Sequence, residues 1–191
     1  METLVLKSID SFTDEQFFEF CRVNDGLHIE RDALGNIIIM EPTGGETGNF
    51  NADLITELGF WNRTEKQGKV FDSSTGFTLP DNSVRSPDTT WIALERWKTL
   101  PLEERKRFAH ISPDFVLEIR SENDNLAALQ QKMAHYIQNQ VRLAWLIDPV
   151  EQQVFIYRLD GSVTHIPNFD TPLSGEEVLV GFELRLKELM E

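Results

Sequence analysis

Two acids stand out by their type and their place. Asp88 closes the tripeptide Ser86-Pro87-Asp88 and leads into the strand-like run 89–94. Glu118 sits inside Asp114-Phe115-Val116-Leu117-Glu118-Ile119-Arg120, a second strand-like run that is otherwise mostly apolar. A carboxylate in the middle of a buried strand is costly unless something charged pairs with it. Two strands that each give one carboxylate to a shared spot suit a divalent metal, which takes hard oxygen ligands and keeps positions open for water and phosphate. Such an ion polarises a phosphoryl oxygen and lowers the pKa of attacking water, so the chemistry suggested is metal-dependent hydrolysis of a phosphodiester.

That chemistry also wants a cation to orient the water or steady charge in the transition state. Side chains alternate along a strand, so Glu118 and Arg120 share one face while Phe115, Leu117 and Ile119 share the other. Arg120 is therefore one candidate, restricted to a fixed charge because arginine does not deprotonate. Lys132 is the more versatile candidate, fourteen residues past Glu118 (132 − 118). On a helical wheel it lies at the shoulder of an apolar stripe, one turn before Tyr136, where it can reach over the end of a sheet. Glu46, one helical turn before Phe50, is a further candidate ligand on an inward face.

Each candidate has a structural alternative. Asp88 can bond turn amides after a proline. Glu118 can form an ion pair with Arg120 or Lys132 that has no chemical role. Lys132 can lie along the core edge as a surface lysine. Glu46 completes a Thr43-x-x-Glu46 capping box, in which the acid satisfies a free amide at a helix start, and the two readings of it weigh equally. Tyr136 reads as core, Asp148 as a strand terminator before Pro149, and the tryptophans as packing.

The elements that must position these residues follow from periodicity and turn chemistry. Residues 13–22 read as a helix with Thr13 as N-cap. Residues 27–31 and 36–41 read as a hairpin around Leu34-Gly35-Asn36. A long helix follows over 46–66, with Phe50, Leu54, Leu58 and Trp61 as its buried stripe and Gly68 at its end. Residues 70–72 and 76–79 read as a strand pair, and 84–94 as the strand that carries Asp88. The charged stretch 95–110 reads as a loop with a helical turn or two. The Glu118 strand, a helix over 123–139 and an apolar strand over 141–148 look like a parallel crossover unit. Residues 153–159 and 162–166 form a hairpin through Asp160-Gly161, and 182–190 reads as a closing helix. The expected class is α/β, a central mixed sheet flanked by helices, with extra N- and C-terminal β-hairpins.

The 191 residues fit one domain. With 40% hydrophobic and 26% charged residues the composition is that of a globular protein. No run of 18 or more apolar residues predicts a membrane span. No basic start and apolar stretch marks a signal peptide, so the expected location is the cytoplasm. Cys21 is the lone cysteine, which excludes an internal disulfide and a cysteine-based zinc site. The four histidines lack metal-ligand spacing and read as surface or structural residues. The net charge of −14 argues against a broad nucleic-acid footprint. An acidic nuclease would need its metal and a local basic rim to handle substrate.

Taken in order, Ser86-Pro87-Asp88, Glu118-Ile119-Arg120-Ser121, Lys132-x-x-x-Tyr136 and Trp145-Leu146-Ile147-Asp148-Pro149 resemble the Uma-type restriction endonuclease family of the PD-(D/E)XK nuclease superfamily. The likeness runs from about residue 13 to 182. It implies a restriction-endonuclease-like core, Asp88 and Glu118 as metal ligands, and Mg²⁺ as the ion, with Mn²⁺ as a substitute. It implies nucleic acid as the partner, DNA favoured. The superfamily lysine usually stands two residues after the glutamate, where this chain has Arg120, so Lys132 looks like that lysine moved to the adjacent helix. An acid in the first core helix, here Glu46, would complete the shell. The rival expectation is a catalytically degenerate nuclease fold serving as an interaction or regulatory module, as a homodimer through its C-terminal strands. That rival expects Glu118 sealed beneath Arg120.

Overall fold

The computed structural model describes residues 4–7 and 12–190. The chain runs β1 (Leu4–Leu6), α1 (Asp14–Val23), β2 (His28–Arg31), β3 (Ile37–Met40), α2 (Gly45–Glu65), β4 (Gly68–Asp72), β5 (Phe77–Thr78), β6 (Val84–Arg85), β7 (Thr89–Ala93), α3 (Leu94–Thr99), β8 (Ala109–His110), β9 (Phe115–Ile119), α4 (Leu126–Gln138), β10 (Leu143–Asp148), β11 (Gln153–Arg158), β12 (Val163–Ile166), β13 (Leu173–Ser174) and β14 (Glu183–Leu184).

The central sheet has the order β12-β11-β10-β9-β7-β4. It is mixed: β9 and β10 run parallel and the other pairs are antiparallel. The parallel pair is joined through α4, as a parallel connection requires. Strands β9 and β10 are buried along their whole length. Their alternation sends Phe115, Leu117, Ile119, Trp145 and Ile147 to one face, where Phe50, Leu54 and Leu58 of α2 pack on them. Val116, Ala144 and Leu146 pack on the opposite face against Met133 and Tyr136 of α4. Helices thus cover both faces, as expected for strands buried on both sides.

A second sheet, β1-β3-β2-β6-β5-β8, carries the N-terminal hairpin. Helix α1 packs Phe17 on its Ile29, Ile37 and Val84. Thr13 caps that helix through a full capping box with Gln16.

Three expectations are corrected. The runs around 70–72 and 76–79 are not partners: β4 pairs with β7 in the central sheet, and β5 pairs with β6 and β8 in the second. The 84–94 run is likewise two strands in two sheets, β6 and β7. In both cases the chain crosses between sheets where a single-strand pattern breaks at a bend. The 182–190 run is not one helix. It opens with β14, paired to β13, and only Leu186–Leu189 form a 3-10 turn.

Candidate metal and catalytic site

The crossover from β6 to β7 builds the first half of the site. Pro87 has no amide to give to a ladder, which suits a segment leaving one sheet for another. Asp88 is the last residue before β7. Thr89 pairs with Leu117 in the antiparallel β7–β9 ladder, and the same register carried back one residue sets Asp88 across from Glu118. Directly opposed residues bring their Cβ atoms to about 4.5–5.5 Å, so the two carboxyl groups are neighbours by construction. Asp88 Oδ2 accepts a hydrogen bond from the Ile119 amide at 2.8 Å, which fixes the acid to the end of β9.

Glu118 faces α4, and α4 answers with two donors one helical turn apart. The Tyr136 hydroxyl donates to Glu118 Oε1 at 2.7 Å. Lys132 Nζ lies 2.8 Å from the same oxygen. Residues four apart share a helix face, which is why both reach one carboxylate. Lys132 Nζ is also 3.4 Å from Oε1 of Glu30, on β2 of the second sheet. Glu30 is 1% exposed. Its Oε2 takes an ion pair from Arg85 Nη1 at 2.8 Å, and its Oε1 accepts the Ser86 amide at 3.0 Å. The chain Tyr136–Glu118–Lys132–Glu30–Arg85 therefore runs unbroken from one sheet to the other.

The electrostatics divide the acids. Burial, and then the charge of Glu118, push the Asp88 carboxyl up to about 7, against the Ile119 amide and Lys132. Burial would also raise Glu30, but Lys132, Arg85 and the Ser86 amide outweigh it and hold that carboxyl near 2. The Lys132 ammonium is kept charged by Glu118 and Glu30 despite its burial. The Tyr136 hydroxyl is pushed well up by burial and by Glu118, so it stays a donor. Asp88 is thus a buried acid beside a second carboxylate.

Asp88, Glu118, Lys132, Glu30 and Arg85 line a cavity of about 890 Å³ that also presents His28, Ser121, Asn125 and His135. The donor set fits a hard divalent cation: Mg²⁺ is held by one or two carboxylates and fills its remaining positions with water and substrate phosphate. Asp88 and Glu118 supply two such carboxylates, opposed across β7 and β9. Among the described residues, no three His, Cys, Asp or Glu side chains converge as a ligand group.

The structure brings together Asp88, Glu118 and Lys132 and leaves Arg120 and Glu46 out. Arg120 keeps the strand parity of Glu118, but the carboxylate of Asp148 on β10 takes it at 2.8 Å, and its Nε donates to the Asp124 carbonyl at 3.2 Å. It does not line the cavity. Glu46 is exposed. Gly44, not Thr43, is the N-cap of α2 and makes no side-chain cap, so the capping box does not form. Burial of that helix face begins only at Phe50, and Thr47 and Asn51 are the α2 residues that reach the cavity. Among the described residues no basic rim is found either: the Lys and Arg lining the cavity are Lys132 and Arg85, both already ion-paired.

Sequence reasoning missed Glu30, Arg85 and the contact of Tyr136. The signal for Glu30 was an acid inside a strand, the same cue that exposed Glu118. It was masked because His28-Ile29-Glu30-Arg31 reads as a polar hairpin arm. His28 and His135, read as surface or structural, line the cavity, and His135 is paired with Asp81 at 2.6 Å.

Residues 14–187 match the Uma2 family, described as "Putative restriction endonuclease". Among solved structures, the chain is similar to one described as a putative nuclease belonging to DUF820 from Anabaena variabilis. The TM-score is 0.70 at 22% identity, with 84% of this chain and 88% of that one covered. At that identity the likeness speaks for the fold. No curated protein sequence matches the chain.

Proposed function

Because the chain belongs to the Uma2 family, we propose that it is a Mg²⁺-dependent endonuclease that hydrolyses nucleic-acid phosphodiesters, DNA favoured, with Mn²⁺ as a substitute ion. The observation that carries this reading is one contact. Lys132, from the helix, lies on Glu118 in the cavity where Asp88 opposes it. The in-line lysine position holds Arg120, yet the ammonium reaches the glutamate from α4.

Asp88 and Glu118 would hold the cation, and the cation would supply a polarised phosphoryl oxygen and a more acidic water. Tyr136 fixes the orientation of Glu118 through its hydroxyl. Lys132 places a positive charge at the cavity wall beside the ligand pair, suited to charge that develops on the phosphoryl group. Side chains of α4 and of the β2–β3 hairpin wall the cavity around those charges.

The rival module expected Glu118 sealed beneath Arg120; Arg120 instead engages Asp148, while Glu118 is buried beneath Lys132 and Tyr136. No described helix is long and apolar enough to cross a membrane. The decisive experiment is plasmid and oligonucleotide cleavage with Mg²⁺ or Mn²⁺, wild type against Asp88→Ala. We expect metal-dependent cleavage that Asp88→Ala lowers by about a hundredfold or more, the scale on which loss of one charge-stabilising group acts. Cleavage that survives Asp88→Ala removes the mechanism.

A further inference from the structure

We propose that Glu30 is a positioning residue that receives the Lys132 ammonium when a divalent cation binds Asp88 and Glu118. The inference rests on the metal reading above and adds a residue and a movement to it.

In the structure Lys132 is the internal counter-ion of Glu118, with Nζ 2.8 Å from Oε1. That oxygen is also one that a metal ligand would offer. A divalent cation and an ammonium on one carboxylate repel each other strongly at such range. That repulsion drives the ammonium off the carboxylate, toward solvent or toward a second carboxylate. Glu30 is that carboxylate. Its Oε1 is already 3.4 Å from Nζ, 0.6 Å farther than Glu118 (3.4 − 2.8). A small swing of the lysine stem completes the transfer.

Glu30 is built to stay still while the lysine moves. It is 1% exposed, its Oε2 is held by Arg85 and its Oε1 by the Ser86 amide. Arg85 and Ser86 belong to the crossover that ends in Asp88, so the anchor of the receiving carboxylate and the entrance of the metal ligand are one segment. Lysine has a flexible four-carbon stem and a compact charge, the form suited to such an exchange. The outcome is a lysine that leaves the metal ligand free yet remains charged at the cavity wall. Without Glu30 the ammonium has only Glu118 and competes with the metal for it.

The test is Mn²⁺ binding by titration calorimetry on the wild type, Glu30→Gln, Lys132→Ala and the double variant, with thermal melts to check folding. The glutamine keeps an acceptor for Arg85. Glu30→Gln is expected to weaken Mn²⁺ binding about tenfold, and Lys132→Ala to tighten it, with strong coupling between the two sites. In the Lys132→Ala background, Glu30→Gln should then have a clearly smaller effect, that of one lost charge alone, because no ammonium is left to be seated. A Glu30 that acts by structure or charge alone would weaken binding equally in both backgrounds, and that result overturns the proposal. So does Lys132→Ala that leaves Mn²⁺ affinity unchanged or lower; that arm decides alone if Glu30→Gln does not fold. A wild type that binds no Mn²⁺ removes both the metal reading and this one. Binding with additive variants removes only this one.

Discussion

Asp88 and Glu30 lie in one cavity with carboxyl groups pushed in opposite directions, and the difference is the company each keeps. Asp88 has one backbone amide and a neighbouring acid, and stands at about 7. Glu30 has a lysine, an arginine and an amide, and stands near 2. For Asp88 the proton and a metal compete for one carboxylate, so the acid keeps its proton until about pH 7. Mn²⁺ affinity should therefore fall by about tenfold per pH unit below 7 and level off above it. Calorimetry at pH 6, 7 and 8 reads this, and Asp88→Asn should flatten the slope. For Glu30 the sign is reversed. Its folded value lies below the usual 4.5, so its stabilisation is fully present above that pH and is lost as pH falls toward 2. Melting temperatures from pH 5 to 2.5 should fall less steeply in Glu30→Gln than in the wild type. Glu118 and Lys132 were legible from sequence because parity and helix phase act over short spans. The partnership of Glu30 was not, since it joins residues 102 positions apart (132 − 30).

At the scale of elements, the site depends on how α2, β7 and β9 are held together. The Asn62 side chain accepts from Gly68 N at 3.1 Å and from Trp91 Nε1 at 2.9 Å, tying the end of α2 to β4 and β7. A Cβ at Gly68 would overlap the Trp91 indole and the Ile92 carbonyl. Gly68→Ala is expected to cost about 3 kcal/mol in urea unfolding, because backbone and a packed ring cannot yield. Arg120→Ala tests the other end of the sheet. Asp148 is fully buried and would keep only Gln153 and the Glu151 amide. A loss of about 2 kcal/mol is expected, short of a fully broken buried pair, with Mn²⁺ affinity unchanged. A change in metal affinity without a change in stability would return Arg120 to the site. The helices and the β11–β12 hairpin were readable because their signals are local: a cap, a stripe, an Asp-Gly turn. The split of residues 70–94 between two sheets was not, because strand periodicity names a strand and not its partner.

At the scale of the whole molecule, the charge of −14 and the paired cations of the cavity point the same way. Affinity for duplex DNA falls with salt in proportion to the phosphates neutralised by Lys and Arg. With two cavity cations already engaged, binding should weaken only about tenfold between 50 and 200 mM salt, against 10³–10⁵ for a protein with many phosphate contacts. Fluorescence anisotropy with an uncleavable duplex across that range measures it, and a steep slope would reveal a basic surface outside the cavity. By itself the sequence determined the class of fold, the crossover unit and the acid–acid–lysine order, all set by residues close along the chain or by a regular period. The tertiary structure alone decided that Lys132 and not Arg120 meets Glu118, that Glu46 stays outside, and that Glu30 closes the network. Those outcomes turn on which buried charge finds which partner across two sheets. That choice is fixed by desolvation and proximity in three dimensions and leaves no period in the chain.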